Sequence, residues 1–367
     1  MKIHFNKTMI MIGLVATTLA ACGATNGNSL VGVAGQPTET STSSAAAEPS
    51  ALPPIPPIPE SAGHIIFISD RDGQKSLYIT SPNGTDQTRV TEIISESPRI
   101  SPDGTRIAFV SNANGNADIY VLEIASGSVT RITDALEKDA SPSWSPDGTR
   151  IAFESFRDGN FEIYIVNADG SNPIRLTTDP AGDSNPIWSP VADEIIFVSN
   201  RFGNADLFLL TPSGNVSTLT TNTAPDSAPA WSPDGSMIAY KAFSGKLSNL
   251  CLIGRDGLNQ RCVTSAPSDY GSPVWSPDNL SLAVNAKQNA GYGITIFNVQ
   301  DDSTIQLFSA GIDPRGDPAW SPEGLRLVIQ AQYEGNMELF VILVSANAFT
   351  RFTSINAYDG EPIWGRQ

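Results

Sequence analysis

Carboxylates recur along this chain at positions that a repeating fold would bring together. Four aspartates each lie three residues before a proline, namely Asp139, Asp183, Asp226 and Asp359. Asp317 and Glu361 lie in equivalent segments. If these segments surround one axis, the acids circle the mouth of a central channel and could hold a cation or a basic peptide. The alternative, which the repetition favours, is that each acid hydrogen-bonds the backbone of its own loop.

A second group of polar residues lies where the repeat is irregular. Segments 244–249 and 288–293 depart from the pattern; they contain Lys246 and Tyr292, and Lys287 directly precedes the second segment. These side chains would make one sector of the same face less acidic, and we predict a partner-binding sector there. Ordinary drift between repeats explains the irregularity as well. A further set of acids follows glycine-containing turns, and for it we expect turn stabilisation: Asp118, Glu162, Asp206 and Glu338.

The residue types that common catalytic motifs need are scarce. The chain has two histidines, His4 and His64, and no Gly-x-Ser-x-Gly or phosphate-binding motif. We therefore predict a module that binds or scaffolds a protein, a peptide or an envelope polymer, that is not an enzyme and that has no cofactor, apart from a cation in the acidic mouth. The alternative is a hydrolase or lyase that uses carboxylates on an extracellular polysaccharide or peptide.

The first 63 residues indicate export and membrane anchoring. Residues 1–21 combine early lysines with an apolar run too short to span a bilayer, as signal peptides do. Leu19-Ala20-Ala21-Cys22 resembles the bacterial lipobox, which implies that Cys22 is lipidated; the alternative is an ordinary signal with a chance cysteine. Residues 22–63 are rich in Ser, Thr, Ala and Pro and predict a disordered tether. We expect a protein that is lipid-anchored outside the cytoplasm, on the periplasmic or cell-surface side.

Charge excludes one class of partner. The formal net charge is −16, with 38 acidic and 22 basic residues. Such a surface repels phosphate backbones, so we expect no nucleic-acid binding. The remaining partners are the membrane, through the lipid anchor, and a protein or peptide, bound by a monomeric chain.

The two cysteines that follow Cys22 are placed symmetrically about a turn. Cys251 and Cys262 flank the dipeptide Asp256-Gly257 at equal distances. In a hairpin centred on this turn the two residues face each other across adjacent strands, and an exported protein meets oxidising conditions. We predict a structural disulfide between them.

A repeat of about 44 residues positions all of these groups. The six tryptophans are 44, 43, 44, 45 and 44 residues apart, and each follows a proline by two positions. Ile100, after Pro98, is a seventh and degenerate copy. Ser-Pro-Asp-Gly or a variant comes next, which predicts a tight turn, and a short apolar run predicts a strand buried on both faces.

Four short strands per repeat predict the blades of a propeller. Seven copies predict an all-β, seven-bladed ring of four-stranded antiparallel blades over residues 64–367. The chain begins with a second strand near His64 and ends with a lone first strand near Trp364. We expect this C-terminal strand to pair into the first blade and close the ring.

The repeat resembles the TolB-like, WD-type β-propeller family. The resemblance lies in Ser-Pro-Asp-Gly, then Ile-Ala-Phe, then Gly-Asn before Ile-Tyr, as in residues 145–148, 151–153 and 159–164. It covers about residues 64–367 and implies the fold without a particular function. The family's namesake also has a separate α/β domain and a six-bladed propeller. Its role in envelope assembly is therefore not implied for this chain.

Overall fold

The computed structural model describes residues 63–289 and 291–365. The predicted signal peptide, Cys22 and almost all of the tether therefore lie outside the described residues. Within the described part, none of the helical structure is long and apolar enough to cross a membrane.

Seven sheets of four antiparallel strands form the folded part, as predicted. The strands of each blade follow here from the innermost to the outermost. Blade 1 contains β28 Asp359–Gly365, β1 His64–Ser69, β2 Ser76–Thr80 and β3 Thr88–Arg89. Blade 2 contains β4 Glu96–Ile100, β5 Arg106–Ser111, β6 Asp118–Glu123 and β7 Ser128–Arg131. Blade 3 contains β8 Asp139–Trp144, β9 Arg150–Ser155, β10 Glu162–Asn167 and β11 Ile174–Arg175.

The remaining four blades repeat this order, with longer strands in the last three. Blade 4 contains β12 Asp183–Trp188, β13 Ile195–Ser199, β14 Asp206–Leu210 and β15 Val216–Thr218. Blade 5 contains β16 Asp226–Trp231, β17 Met237–Ser244, β18 Leu247–Gly254 and β19 Arg261–Cys262. Blade 6 contains β20 Val274–Trp275, β21 Ser281–Gln288, β22 Gly291–Asn298 and β23 Thr304–Leu307. Blade 7 contains β24 Asp313–Trp320, β25 Arg326–Tyr333, β26 Asn336–Leu343 and β27 Ala348–Arg351, with a short 3-10 helix Val344–Ala346 before its last strand.

The C-terminal strand closes the ring, as predicted. β28 pairs antiparallel with β1, from His64 opposite Gly365 to Ser69 opposite Asp359. Each innermost strand also contacts the innermost strand of the next blade, including β24 with β28 and β28 with β4. The described chain is therefore a closed ring in which both ends share one blade, and no innermost strand is left as an open edge.

The core lies between the blades. The second and third strands are buried on both faces; Phe153 in β9 and Ile163 in β10, for example, are fully buried. Each hydrophobic cluster joins two neighbouring blades, as where Ile119 of blade 2 packs with Phe153 and Tyr164 of blade 3. Burying one such large apolar side chain completely stabilises the fold by about 1.5–3 kcal/mol. This arrangement explains why the apolar runs do not alternate with polar residues.

The recurring tryptophan joins consecutive blades at the axis. It ends the innermost strand, and its indole N–H donates to a backbone carbonyl on the innermost strand of the preceding blade. The observed bonds are Trp144 Nε1 to Arg99 O at 3.0 Å, Trp231 to Ile187 O at 3.1 Å, Trp275 to Ala230 O at 3.1 Å and Trp320 to Val274 O at 3.2 Å. The repeat spacing therefore reflects a contact between consecutive blades that recurs around the ring, although the buried Nε1 of Trp188 has no hydrogen-bond partner among the described residues and blade 2 has Ile100 at this position.

The predicted disulfide is confirmed. Cys251 in β18 lies directly opposite Cys262 in β19, and the two sulfur atoms are bonded. Cys251 is fully buried and Cys262 is exposed, so the bond fixes the outermost strand of blade 5 onto its neighbour.

Candidate functional site

Two kinds of loop share one face of the ring. Crown loops join the second and third strands of a blade, for example residues 156–161 in blade 3, and rim loops join one blade to the next, for example residues 132–138. Asn116 of a crown loop donates to the rim-loop carbonyls of Ala135 at 2.9 Å and Glu137 at 3.1 Å. Equivalent asparagines hold other rim loops, which explains the Gly-Asn motif as a structural one: Asn160, Asn204 and Asn336.

The four repeated aspartates lie at the start of innermost strands, but they do not open onto the channel. Asp139, Asp183, Asp226 and Asp359 are all fully buried. Asp139 accepts two bonds from Arg157 of its crown loop, at 3.0 and 3.1 Å, and Asp183 does the same with Arg201, at 2.8 and 2.9 Å. Asp359 is paired with Arg71 at 3.0 Å. The expected ring of exposed carboxylates is therefore corrected, because three of these acids are neutralised inside their own blades.

The arginines of these pairs are held on aromatic rings. The Arg157 guanidinium lies 4.5 Å from the ring centre of Tyr164 and 5.6 Å from that of Phe153. Arg71 and Arg201 lie in the same way over the aromatic pairs of blades 1 and 4. An ion pair, a ring stack and a loop are thus combined in one contact, which we call the crown lock of blades 1, 3 and 4.

Asp226 of blade 5 occupies the same position without an arginine. Its Oδ2 accepts one bond from Asn222 at 3.0 Å, whereas its Oδ1 is buried without a hydrogen-bond partner. Burial raises the pKa of the Asp226 carboxyl from 3.8 to about 6, the polar side chains of Thr220 and Asn222 oppose the rise, and the nearby Asp206 carboxyl adds to it. No cation of the described residues therefore forms an ion pair with this buried acid.

The second set of acids, for which turn stabilisation was expected, instead ties the third strand of a blade to the fourth. Asp118, Glu162 and Glu338 are buried and pair with arginines of the fourth strands, each at 2.7 Å: Arg131, Arg175 and Arg351. Asp206 lacks such an arginine, and burial raises the pKa of its carboxyl.

Asp317 and Glu361 are the two predicted acids that do reach the channel. Asp317 is exposed and Glu361 is half-buried. Each precedes the proline of an innermost strand and accepts a backbone N–H from a neighbouring blade: Ser97 N to Glu361 Oε2 at 2.8 Å, and Ser272 N to Asp317 Oδ1 at 3.0 Å. These carboxylates line the axis and bridge adjacent blades.

The strand bulges at this level of the channel. The pairing register shifts where the residue before proline lies, and that residue takes a left-handed conformation in five blades: Ser97, Ser141, Asn185, Ala228 and Glu361, with φ between 49° and 55°. This conformation is uncommon for residues other than glycine. The bulge explains how the backbone N–H of Ser97 turns toward a carboxylate of another strand.

Arg99 is a channel residue that the repeat analysis did not identify. It follows Pro98 on β4, at a position that is uncharged in every other blade: Ser143, Ile187, Ala230, Val274, Ala319 and Ile363. Desolvation by the surrounding innermost strands lowers the pKa of its guanidinium, although the side chain remains open to the solvent in the channel; Asp317 of blade 7 and Glu361 of blade 1 act against that shift. Side chains from three segments that are distant in sequence therefore interact electrostatically at the channel. The signal in the sequence was that, of the seven residues that follow the prolines of the innermost strands, Arg99 alone is charged.

The predicted partner sector lies on the longer hairpins of blades 5 and 6. Lys287 and Tyr292 are directly opposite each other on β21 and β22, and Lys246 is exposed at the tip of the neighbouring hairpin. The Tyr292 hydroxyl donates to Asp269, and the Arg315 guanidinium lies 5.4 Å from the Tyr292 ring centre. The structure thus brings Lys287 and Tyr292 together.

A metal site is not evident in this part of the chain. Within residues 63–289 and 291–365, no three or more His, Cys, Asp or Glu side chains are grouped so that they could hold a metal ion. Asp139 and its equivalents face separate blade interiors, which is why their repetition does not gather them around one ion.

A closed ring of seven four-stranded blades with charged residues at its axis defines the chain as a β-propeller. The family model described as the TolB β-propeller domain matches residues 91–264 and 244–367. The chain belongs to this family. Among curated proteins, no sequence matches it.

Solved structures show the same fold in proteins of different activities. TolB from Acinetobacter baumannii is 20% identical, with a TM-score of 0.54 over 87% of this chain and 69% of that one. An oligogalacturonate lyase from Vibrio parahaemolyticus is 16% identical, with a TM-score of 0.64 over 75% of this chain and 85% of that one. A prolyl endopeptidase is 12% identical, with a TM-score of 0.65 over 82% of this chain and 49% of that one.

These similarities correct the prediction that the chain is not an enzyme. A lyase and peptidases are among the proteins whose structures contain this propeller. At 12–16% identity they share the fold alone, so the fold favours neither an enzyme nor a protein without catalytic activity. The scarcity of histidines was not a sufficient reason to exclude catalysis.

Proposed function

We propose that the chain is a monomeric, extracytoplasmic binding module that takes part of a protein or peptide partner into the central channel. Arg99 supports this most directly. Its guanidinium lies at the axis, and its one hydrogen bond within the described residues goes to Pro98 O at 2.9 Å. A guanidinium has five N–H donors. The remaining donors of Arg99 make no hydrogen bond with the described residues.

The predicted partner sector supplies a second part of the same surface. Lys246 and Lys287 project from the longer hairpins on the face into which the channel opens. Partners that enter the channel would pass these hairpins first. Such a site combines a charged residue deep in the channel, Arg99, with exposed residues around the mouth, as binding surfaces commonly combine a buried centre with a polar rim.

The place of action is inferred from the N-terminal sequence and the disulfide. The charged start, the apolar run and Leu19-Ala20-Ala21-Cys22 favour export and lipidation of Cys22. The Cys251–Cys262 disulfide is typical of proteins outside the reducing cytoplasm. Residues 23–63 would then lift the propeller from the membrane surface.

Affinity capture from native membranes tests the binding role. The full chain is expressed with a C-terminal tag, and wild type is compared with Arg99→Gln. We expect a specific partner to be captured by wild type and lost with Arg99→Gln, because the channel loses a guanidinium that forms no ion pair with any carboxylate of the described residues.

Lys138→Gln is the matched control. Lys138 is exposed on a rim loop of the same face, so the substitution makes the same charge change outside the channel. Partner capture that survives Arg99→Gln in a folded variant would contradict the channel site. Capture lost equally in both variants would indicate a general charge effect instead.

A further inference from the structure

The geometry of the channel points to its ligand: we infer that Arg99 binds the free C-terminal carboxylate of an extended peptide, and that Asp317 and Glu361 select a basic side chain near that terminus. This inference rests on the proposed binding function and specifies its ligand. It uses one cation and two acids that the ring brings together from blades 2, 7 and 1.

The donors of Arg99 are available. Its side chain is exposed to solvent, and Nη1 donates to Pro98 O at 2.9 Å. Within residues 63–289 and 291–365, no carboxylate lies close enough to form an ion pair with it, although Asp317 and Glu361 act on it electrostatically. Two parallel N–H groups of a guanidinium match the two oxygens of a carboxylate.

The acids determine which carboxylate fits. Asp317 and Glu361 each use one oxygen for a backbone N–H, which leaves the second oxygen of each without a hydrogen bond from the described residues. Two negative charges beside Arg99 repel a ligand that carries many anionic groups. They favour a dipolar end in which one carboxylate is followed closely by a cation.

The depth of Arg99 and of the two acids along the channel sets the spacing expected between the carboxylate of the ligand and its basic side chain. Asp317 and Glu361 precede the strand proline, whereas Arg99 follows it, so the acids lie two residues nearer the mouth, or about 7 Å at ~3.3 Å per residue. An extended peptide that enters carboxylate first therefore places its third-from-last residue at the level of the acids. At the depth of Arg99 the channel is lined by small or apolar residues, which leave room for an uncharged C-terminal residue of the peptide: Ser143, Ile187, Ala230, Val274, Ala319 and Ile363.

Two pools of labelled octapeptides, randomised at the last four positions, test the assignment. One pool ends in a free carboxylate and the other in an amide, and each is passed over the immobilised full chain. We expect retention of the acid pool to be at least about tenfold greater than that of the amide pool, since charge-assisted bidentate bonds are strong. Mass spectrometry of the retained acids should show Lys or Arg enriched at the third-from-last position.

Variants separate recognition from folding. Arg99→Gln should reduce acid-pool retention to the level of the amide pool, and Arg99→Lys should keep part of it by retaining the charge. Asp317→Asn with Glu361→Gln should abolish the Lys or Arg enrichment and keep the preference for a free carboxylate. Thermal unfolding confirms that each variant is folded, and poly-glutamate should not compete.

Several outcomes overturn the assignment. Equal retention of acid and amide pools, retention insensitive to Arg99→Gln, or competition by poly-glutamate would each do so. If membrane capture still depends on Arg99 while the pools behave alike, the binding function stands and the carboxylate assignment fails. If neither depends on Arg99, both fail.

Discussion

Blades 1, 3 and 4 differ from blades 5 and 7 in how they build the same face. The former have crown loops of six residues fixed by a crown lock, and the latter turn within two residues at the tips of eight-residue strands. Blade 6 has eight-residue strands as well. The same repeat therefore provides both rigid, internally neutralised loops and hairpins whose charges remain on the surface.

Asp139 and Asp226 show what this difference means for one residue position. Both are fully buried at the start of an innermost strand. Asp139 is neutralised by Arg157, whereas the crown loop of blade 5 has only two residues and no arginine that could reach Asp226. A shorter loop thus exchanges a stabilising ion pair for an acid with a raised pKa. Blades 1, 3 and 4 thus have the stabilising ion pairs, whereas blade 5 has the charged groups that no ion pair within the described residues neutralises.

The largest effect should come from breaking a crown lock. Asp139→Ala leaves the Arg157 guanidinium without its carboxylate, and we expect a loss of about 3 kcal/mol in the free energy of unfolding, because breaking a buried pair strands a charge. Urea unfolding followed by tryptophan fluorescence measures this loss. Asp134→Asn, on an exposed rim position, is the control and should change stability by less than about 0.5 kcal/mol.

The double variant Asp139→Ala with Arg157→Met sharpens the comparison. It removes both charges, and Met retains apolar contact with Phe153 and Tyr164. It should recover most of the stability lost in the single variant. If the single variant is as stable as wild type, the crown lock does not stabilise blade 3 and the distinction between the two kinds of blade fails.

Asp226→Asn should raise the free energy of unfolding, whereas Asp139→Ala lowers it. Because the folded pKa of about 6 exceeds 3.8, the folded state binds more protons between these values, and wild-type stability falls as pH rises from 3.8 to about 6. The amide removes this loss and provides an N–H where Asp226 Oδ1 and Asn222 Oδ1 both lack a donor. We expect the variant to be about 1–3 kcal/mol more stable at pH 7.5.

Urea unfolding at pH 7.5 and at pH 4 checks this prediction. The advantage of Asp226→Asn should be present above pH 6 and largely absent near pH 4, where the wild-type carboxyl is protonated in the folded state. Asp183→Asn is the matched control, and it should destabilise the protein at pH 7.5 because Arg201 loses its partner. A gain that does not depend on pH would contradict the titration of Asp226 as its cause.

The sequence determines the ring more fully than the site, and particular residues show why. The tryptophans, the Ser-Pro-Asp-Gly turns and Cys251 with Cys262 act within one repeat or between neighbours, so their spacing predicted seven blades, ring closure and the disulfide. The burial of Asp139 was missed because its partner lies 18 residues later in another loop. The same interval separates Asp183 from Arg201 and leads from Asp226 to Ser244, so the sequence itself distinguishes the paired aspartates from the unpaired one.

Arg99 could not be assigned in this way. Its neighbours Asp317 and Glu361 are more than 200 residues distant, and only ring closure brings them to the axis. The repeat pattern contains what the blades share. Residues that act across the channel are departures from the repeat, and their meaning depends on the order of the blades around the ring.

The smallest effects should come from two tyrosines that make the same bond in different blades. The Tyr164 hydroxyl donates to Asp158 within the locked crown loop of blade 3, and the Tyr292 hydroxyl donates to Asp269 beside the hairpin of blade 6. Burial first, and then Asp158, raise the pKa of Tyr164 to about 12, whereas the bond to Asp269 is the main cause of the raised pKa of Tyr292. Tyr164→Phe should therefore lower the free energy of unfolding by about 1 kcal/mol, and Tyr292→Phe by less than about 0.5 kcal/mol. Parallel urea titrations measure both. Equal losses would mean that the hairpins contribute to the stability of the ring as much as the locked loops do.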